Sequence, residues 1–590
     1  MIAAAGYARI EMTESKATPL TSLTRWLPGV AMLRNYPRSW LGPDILAGLV
    51  LTTLLVPQGM AYAGLAGLPP VVGLYSTAVG LLAYAVFGPS RILVLGPDST
   101  LAPMIFAIIA PMLVANQDTA RAIALASALA IMTGLICAAA GLAKLGTMAE
   151  LLSKPVRIGY LNGVAIIILV GQLPKLCGFR TDGGSVPREL WTFARGVSRG
   201  EAHAMSTVIG LGSLALIMLF RVLLPKIPGV AVAVLVSISA VGVFSLASKG
   251  VAVIGVIPGG LPPLSLPDIG LHDVTHLLVA AVGLAFVTLA DTAPVSRSLA
   301  LKRGEHVDPN REMLALGVAN VASGLFQGFP VSGSVSRSAV AEANGARSQA
   351  TGVVGAVAIV LILVFAHGVL RDLPSATLAA ILVSAAFVLA DLAPLRWLWK
   401  VRPAELVLSL TATAGVAWLG PLKGIAIAVG LALIDFLRRA WRPNDAVLGR
   451  VPGRKGYHDV SRHTDAIQAP GLLLFRFDAP LFFANADHFA ATVRAEIAAR
   501  PEPIRWVVIA AEPITDIDTT AAEMLVNLLR EFETLSITFA VAELKGRVKD
   551  RLRSYDLFDQ IGSELFFPTI GSAMKTYYQF IGSPNPADVD

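Results

Sequence analysis

Long apolar runs limit what this chain can fold into more than any other feature of its sequence. They recur from Asp44 to Leu437, and DILAGLVLTTLLVPQGMAYAGLAGL and ATGVVGAVAIVLILVFAHGVL are clear examples. Each is at least as long as the ~20 residues that a helix needs to cross a bilayer. Only 15% of the residues are charged and the mean hydropathy is +0.68, whereas about 25% of the residues of a soluble protein are charged. The sequence therefore predicts a polytopic α-helical membrane protein in contact with the lipid bilayer.

Basic residues cluster beside these runs and predict the orientation of the chain. One cluster, Arg25 to Arg38, precedes the first run, another, Arg438 to Arg442, follows the last, and the others fall in alternate loops. Because Lys and Arg are enriched in cytoplasmic loops, we expect both termini in the cytoplasm and the chain in a bacterial-type inner (plasma) membrane. The loop Phe179 to Glu201 departs from this alternation. The clusters also account for the net charge of +7 without a nucleic-acid partner.

Several functional classes find no support in the sequence. The amino-terminal MIAAAGYARIEMTESKATPL lacks a basic head followed by an apolar run, so we expect no cleavable signal peptide. Cys137 and Cys177 lie in apolar segments and are expected to be small core side chains, not a disulfide or a metal pair. The sequence has no metal-ligand cluster, nucleophile–base arrangement or nucleotide-binding loop, so neither an enzyme, a resident metal nor a cofactor is expected.

After the last apolar run the character of the chain changes. Runs typical of buried strands, GLLLFRFD, RWVVIAA and ITFAVA, alternate with the amphipathic helical patterns NADHFAATVRAEIAA and TAAEMLVNLLREFETL. This alternation predicts a small soluble α/β domain. The predicted organisation is a cytosolic amino-terminal segment, a transmembrane domain, a polar linker and the α/β domain, at residues 1–42, 43–440, 441–468 and 469–590.

Two segments within the membrane region are too polar for lipid-facing helices. They are LGPDSTLAPM and QGFPVSGSVSRSAV, and each places a proline before small hydroxyl residues. Gln58 precedes Pro97 by 39 residues, and Asp291 precedes Pro330 by the same number. Corresponding interrupted segments in two halves of a chain indicate a transporter site at the interface of two repeats.

These motifs resemble a known family. VPQGMAYAGLAGLPPVVGLYSTAVGLLAYAVFGPSR and FPVSGSVSRSAVAEANGARSQATG are similar to the signatures of the SulP (SLC26-type) anion transporters, and PITDIDTTAAEML is similar to the core of a STAS domain. The resemblance implies 14 segments in two inverted seven-segment repeats, divided into core and gate domains, with a cytosolic STAS domain. It also implies a homodimer and an elevator-like movement of the core against the gate.

The interrupted segments suggest how a small anion would bind. Half-helices beginning near Ser99 and Ser334 would present unpaired N–H groups and partial positive charge, which is a ready anion site. The residues expected to contact the anion at these ends are Ser99, Thr100, Ser334, Val335, Ser336 and Arg337. Arg337 is expected to pair with an oxyanion or to set the potential of the pocket; the alternative is a structural tie to carbonyls or to Asp291.

Four residues have competing interpretations. Gln58 and Tyr62 lie one turn apart on one helical face, and the resemblance implies that the first span lines the pocket; the alternative is helix–helix packing. Asp98 is expected to be an N-cap, because its carboxylate would repel an anion; the alternative is a role in coupling. The Ser334 hydroxyl is expected mainly to cap its own helix, which does not exclude contact with the anion.

Asp291 is the candidate coupling residue. Moving a divalent anion inward against about 100 mV costs roughly 4.6 kcal/mol, so an importer needs a coupling ion or an exchanged anion. Intramembrane carboxylates are functional candidates by default, and the resemblance implies an acidic residue here. We expect coupling to H⁺. The alternative is coupling to Na⁺, with Asp291, Thr288 and Thr292 as the residues that would bind the ion.

The sequence thus predicts a secondary active anion transporter. Sulfate is the first candidate substrate, and bicarbonate or a C4-dicarboxylate is also compatible. The alternatives are a Na⁺-coupled bicarbonate symporter and a membrane-anchored STAS sensor or scaffold. The resemblance implies that Asp518 and Thr519 occupy the place of an acidic–hydroxyl pair found in STAS domains, so Thr519 is a candidate for phosphorylation. The STAS domain itself is a candidate for binding a cytosolic partner.

Overall fold

The structure is a computed structural model and describes residues 27–34, 36–113, 118–146, 153–181, 185–224 and 227–583. Residues 1–26 of the expected amino-terminal segment, including Arg25, lie outside the described residues. The contacts divide the chain between Ala432 and Leu433 into two compact units, and each is described by itself.

The apolar runs form helices, as predicted. In chain order the helices of the membrane region are α1 (Pro28–Arg34), α2 (Leu41–Leu65), α3 (Pro70–Phe87), α4 (Leu101–Ile109), α5 (Thr119–Leu142), α6 (Lys154–Leu176), α7 (Val186–Ser198), α8 (Ala204–Leu223), α9 (Gly229–Val243), α10 (Leu271–Lys302), α11 (Pro309–Leu325), α12 (Val335–Ala343), α13 (Ala350–Phe365), α14 (Ser375–Leu389), α15 (Ala393–Val401), α16 (Pro403–Leu419) and α17 (Pro421–Trp441). Seven helical stretches in the described ranges are long and apolar enough to cross a membrane. All of these helices except α1, α7 and α15 coincide with apolar runs of the sequence. They are the 14 segments that the resemblance implied.

The fourteen segments pack as two bundles. The first, called the core bundle below, contains α2–α5 and α10–α13, which pack mainly on one another. The second, called the gate bundle, contains α6, α8, α9, α14, α16 and α17. Each bundle thus takes equivalent segments from both halves of the chain, four from each half for the core and three from each half for the gate.

Small residues allow the closest helix packing in the core bundle. Gly134 of α5 faces Gly317 of α11, and a Cβ atom built on either glycine would lie 2.5–2.6 Å from the backbone oxygen of the other. Such close approach of backbones is a common way to associate helices in lipid, where the hydrophobic effect between them is weak. Cys137, also on α5, is buried, as expected for a core side chain, whereas Cys177 is only half-buried.

The carboxy-terminal unit is an α/β domain, as predicted. The membrane region contains two short strands, β1 (Leu95–Gly96) and β2 (Ser332–Gly333). The strands of the carboxy-terminal unit are β3 (Asp445–Arg450), β4 (Tyr457–Asp459), β5 (Leu472–Phe477), β6 (Trp506–Ala510), β7 (Thr538–Ala542) and β8 (Phe566–Phe567), in the sheet order β4-β3-β5-β6-β7-β8. Strands β5 to β8 are parallel, whereas β3 is antiparallel to both of its neighbours. Its helices are α18 (Ala486–Ala498), α19 (Thr519–Thr534), α20 (Gly546–Ser554), α21 (Leu557–Ile561) and α22 (Ile570–Phe580).

The prediction that residues 441–468 form a polar linker is wrong in one respect. Residues 445–450 and 457–459 form β3 and β4, and Asp445–Val447 pair with Phe475–Phe477 of the central sheet. The physical reason is local: the short apolar stretch Ala446–Leu448 is buried, although the polar residues around it dominate the composition of the segment.

Candidate functional site

Two short strands join the halves of the core bundle where the interrupted segments lie. Strand β1 (Leu95–Gly96) is antiparallel to β2 (Ser332–Gly333), with Leu95 paired to Gly333 and Gly96 to Ser332. Helix α4 begins just after β1, and α12 begins just after β2. Because antiparallel strands leave their pairing in opposite directions, the two helices diverge from it and their amino ends both lie beside the strand pair.

The amino end of α12 is open. Ser334 is the N-cap residue, and its carbonyl accepts the Ser338 amide at 3.1 Å. Its hydroxyl makes no capping bond to the helix within the described chain and lies 3.2 Å from the Ser336 hydroxyl. The expectation that this hydroxyl mainly caps its own helix is therefore wrong. Val335 is 67% exposed and Ser336 is also exposed, so the first turn faces open space.

The amino end of α4 is closed by a carboxylate. The Asp98 carbonyl accepts the Ala102 amide at 3.1 Å, and its Oδ2 accepts the Thr100 amide at 3.1 Å. Asp98 thus accepts two amide hydrogens at the start of this segment, as an N-cap does, although the residue directly before α4 is Thr100, which makes no side-chain capping bond within the described chain. Ser99 and Thr100 are buried, and Leu101 of the first turn is fully buried.

Arg337 reaches from α12 to the opposite segment. Its Nη1 donates to the Pro97 carbonyl, and Nη2 lies 3.2 Å from the Gly96 carbonyl and 3.7 Å from Asp98 Oδ1. The side chain is 2% exposed, and its Nε has no partner among the described residues. The carboxylate beside Arg337 is thus Asp98 and not Asp291. The guanidinium joins the two interrupted segments and sets positive charge between their helix ends.

Helix α2 lies beside the same two helix ends. Tyr62 is buried and close enough to Asp98, Arg337 and the Ser99 hydroxyl to interact with them. Gln58, one turn earlier, is 9% exposed, and its Oε1 finds no hydrogen-bond partner among the described residues. Both residues are therefore brought to the helix ends, and Gln58 carries an unused acceptor.

Helix α10 contacts both interrupted segments. Asp291 Oδ2 lies 2.7 Å from the Thr100 hydroxyl of the first half, and the Thr292 hydroxyl accepts the Gly333 amide of the second half at 3.0 Å. The Thr288 hydroxyl donates to the Leu284 carbonyl of its own helix at 2.8 Å. Asp291 therefore belongs to the same cluster as the helix ends, whereas Thr288 is engaged within α10.

Sequence reasoning missed two polar groups of the membrane region. Tyr160 of α6, in the gate bundle, donates its hydroxyl to the Thr100 carbonyl at 3.2 Å. Glu312 of α11 is buried and accepts the Tyr84 hydroxyl at 2.5 Å and the Ser296 hydroxyl at 2.6 Å. A carboxylate in the apolar stretch that starts at Pro309 is the signal that would have pointed to Glu312; nothing local distinguishes Tyr160.

In the carboxy-terminal unit, Asp518 caps α19. Its Oδ1 accepts the Ala521 amide at 2.8 Å, and its Oδ2 accepts the Phe483 amide at 2.8 Å. Thr519, the first residue of α19, is exposed. The cap therefore accounts for Asp518, and the Thr519 hydroxyl is accessible.

Comparisons with known proteins agree with this architecture. The chain matches the model of the sulfate permease family over residues 41–412 and that of the STAS domain over residues 463–573. A probable sulfate transporter of Mycobacterium tuberculosis (strain H37Rv) is 40% identical over 559 residues, covering 95% of this chain and 99% of that protein. Probable sulfate transporter 3.3 of Arabidopsis thaliana is 30% identical, covering 94% of this chain and 90% of that protein.

Solved structures share the fold. The murine SLC26A9 anion transporter in its inward-facing state gives a TM-score of 0.88 at 21% identity and covers 98% of this chain and 99% of its own. The transmembrane domain of the cyanobacterial bicarbonate transporter BicA gives 0.58 at 24% identity and covers 68% of this chain and 98% of its own. The fold is that of a membrane transporter with two inverted repeats and a STAS domain. The chain belongs to the sulfate permease (SulP) family, a family of anion transporters and not of enzymes.

Proposed function

We propose that the chain is a secondary active importer of a small oxyanion, with sulfate as the first candidate. It works as a homodimer in a bacterial-type inner membrane with both termini in the cytoplasm. The core bundle carries the anion past the gate bundle in an elevator movement, coupled to H⁺. The relatives named as sulfate transporters support the choice of sulfate.

The open amino end of α12, opposed to that of α4 across the strand pair, carries this proposal. The first-turn amides of α12 and the hydroxyls of Ser334 and Ser336 are available to an anion, since no side-chain cap within the described chain occupies them. A helix end contributes up to about 2 kcal/mol in a partly buried site, which is too little for a dehydrated divalent anion. Arg337 supplies a full positive charge close by, and its position is fixed by the carbonyls that it binds.

The hydrogen count at Thr100 supports coupling to protons. A hydroxyl has one hydrogen to donate, yet Thr100 Oγ1 lies 3.0 Å from Asp98 Oδ2 and 2.7 Å from Asp291 Oδ2. Both contacts are hydrogen bonds only when one carboxyl carries a proton and donates it to Thr100. We assign that proton to Asp291, because Asp98 already accepts an amide hydrogen and faces Arg337.

Sodium-coupled bicarbonate uptake is the second candidate. The observation that favours it is the same group of oxygens, since Asp98, Thr100 and Asp291 together offer hard ligands to a cation. The two threonines proposed as further ligands remain compatible with it: the Thr288 hydroxyl donates its hydrogen and the Thr292 hydroxyl accepts one amide, so each oxygen retains a lone pair for a cation.

Radiotracer uptake into proteoliposomes tests the function. Sulfate, bicarbonate and a C4-dicarboxylate are each offered under an imposed H⁺ or Na⁺ gradient. We expect sulfate to accumulate with the H⁺ gradient alone. Accumulation that follows only the Na⁺ gradient contradicts the proton assignment, and no uptake of any of the three contradicts the function.

Asp291→Asn is the matching variant. Asparagine retains a hydrogen-bond partner for Thr100 but does not titrate, so gradient-driven accumulation should be abolished while anion exchange continues. Equal loss of accumulation and exchange would reject a coupling role for Asp291.

The STAS domain is proposed to bind a cytosolic partner and to support the dimer. Phosphorylation of the accessible Thr519 is the regulatory alternative, and it predicts that Thr519→Glu changes the uptake rate whereas Thr519→Ala does not.

A further inference from the structure

Two histidines pair on the exposed surface at the amino end of α10. His272 and His276 lie four residues apart, so they share one face of the helix. Their Nε2 atoms are 3.2 Å apart and their ring centroids 4.5 Å apart. Neither residue belongs to the anion site, since Asp291 lies four turns further along the helix.

This separation suits two ligands of one metal ion. Zn²⁺ binds imidazole nitrogen at about 2.0–2.1 Å in a tetrahedron, which puts two ligand nitrogens about 3.3 Å apart. Imidazole is a good ligand for Zn²⁺, Ni²⁺ and Cu²⁺. Within the described ranges no group of three or more His, Cys, Asp or Glu residues is placed to bind a metal, so the remaining positions would belong to water.

The neighbouring acidic residue is held elsewhere. Asp273 accepts Arg121 Nη2 at 2.8 and 2.7 Å and the Gly270 amide at 2.9 Å. These bonds fix the first turn of α10 and keep the Asp273 carboxylate away from the two rings. The imidazoles are thus presented from a rigid helix end.

His276 also borders a crevice between the two bundles. The crevice has a volume of about 410 Å³. It lies between the end of α4 (Ala107, Ile108), α10 (His276, Ala280) and the junction of α16 with the first turn of α17 (Gly420, Lys423). The first turn of α17 also contacts α10 deeper in the membrane region, where a Cβ atom on Gly283 would lie 2.8 Å from Leu422 Cδ1. A group bound at His276 therefore lies where core and gate surfaces meet.

We propose that His272 and His276 form a binding site for a divalent transition metal ion, and that its occupancy inhibits transport by restricting the movement of the core bundle past the gate bundle. A ligand that binds one conformation better than another shifts the protein toward it. In the orientation proposed above this site faces the outside of the cell. The inhibition rests on the proposed transport function, whereas the metal binding does not.

The binding test uses the purified full-length chain and Zn²⁺ alone, by titration calorimetry. Wild type is compared with His272→Gln and His276→Gln, and with His306→Gln as a matched control, since His306 is an exposed histidine just beyond the other end of α10. We expect each site variant to weaken Zn²⁺ binding at least about tenfold and the control to bind like wild type. Cu²⁺ should bind more tightly than Zn²⁺, following the usual affinity order. Equal Zn²⁺ binding by wild type and both site variants overturns the site.

The transport test adds Zn²⁺ outside the proteoliposomes during sulfate uptake. Inhibition that a chelator reverses, present in wild type and His306→Gln but absent in both site variants, supports the proposal. Zn²⁺ binding without inhibition overturns the regulatory role. Failure of the proposed function is distinguishable, since it removes sulfate uptake without Zn²⁺ and leaves the binding titration unchanged.

Discussion

The two interrupted helices of the core bundle occupy equivalent positions in the two repeats but end differently. The amino end of α4 is closed, because Asp98 accepts the Thr100 amide and the first turn is buried. The amino end of α12 is open, because the Ser334 hydroxyl leaves the amides of its helix free and Val335 and Ser336 are exposed. We infer a division of labour in which the amino end of α12 binds the anion, while Asp291 of α10, beside the amino end of α4, binds the proton. An anion and the proton that accompanies it can then occupy neighbouring positions without competing for the same atoms.

The largest expected effect comes from Arg337→Ala, which removes the side chain that joins the two ends. It leaves carbonyls of both segments and the Asp98 carboxylate without their partner, and breaking a buried ion pair costs about 3–5 kcal/mol. Sulfate uptake should be lost and the thermal unfolding temperature should fall. Arg337→Lys is the control: its single ammonium replaces the charge but not the fork of donors, so partial uptake is expected. Unchanged sulfate affinity in Arg337→Ala would make this residue structural only.

Gly333→Ala should have the next largest effect, because the added carbon pushes β2 away from Thr292 of α10 and from Leu93 just before β1. A Cβ atom on Gly333 would lie 2.8 Å from Thr292 Cγ2 and 3.1 Å from Leu93 Cδ1, and such overpacking costs about 1–3 kcal/mol. Uptake should fall strongly. Gly171→Ala, a membrane-helix glycine with nothing within 4 Å of the added carbon, should transport like wild type; similar losses in both variants would contradict a special role for the strand pair.

Asp98→Asn tests the closed end. Asparagine retains the N-cap acceptor but removes a negative charge next to the anion and frees the charge of Arg337. The KM for sulfate should fall by about tenfold, equivalent to about 1.4 kcal/mol. A raised KM would mean that Asp98 assists binding, which reverses the roles inferred for the two ends.

The smallest expected effect comes from removing a single serine hydroxyl, and it should differ between the two helix ends. Ser336→Ala removes an exposed hydroxyl at the open end and should raise the KM for sulfate about fivefold, the value of one hydrogen bond of about 1 kcal/mol. Ser99→Ala, at the closed end, should change it by less. Equal effects of the two variants on KM would show that both ends contact the anion alike.

Much of the fold was predictable, because membrane spans and repeats leave local signals. The apolar runs, the repeated proline spacing and the strand patterns of the STAS domain each depend on residues close together in sequence. The strands at 445–450 and 457–459 were missed, because a three-residue apolar stretch is too short to stand out among polar neighbours.

The site was predictable as a set of residues but not as a set of contacts. The interrupted segments identified Ser334, Arg337 and Asp98 from composition alone. Two carbonyl partners of Arg337, those of Pro97 and Gly96, are 240 and 241 residues away in the chain. The hydroxyl of Tyr160 comes from the other bundle, so only tertiary packing reveals these contacts. Single hydrogen bonds decide which of the two helix ends is closed by a side chain. The residue types at the two ends do not determine which hydrogen bonds form.

The most direct test of this account is to locate the anion itself. Selenate resembles sulfate in shape and charge, and its selenium can be located by anomalous diffraction from crystals of the full-length protein. We expect the selenium peak beside the first-turn amides of α12, near Ser334 and Ser336 and within reach of the charge of Arg337. A peak away from both helix ends, or the space before α12 filled by apolar side chains, would contradict the account.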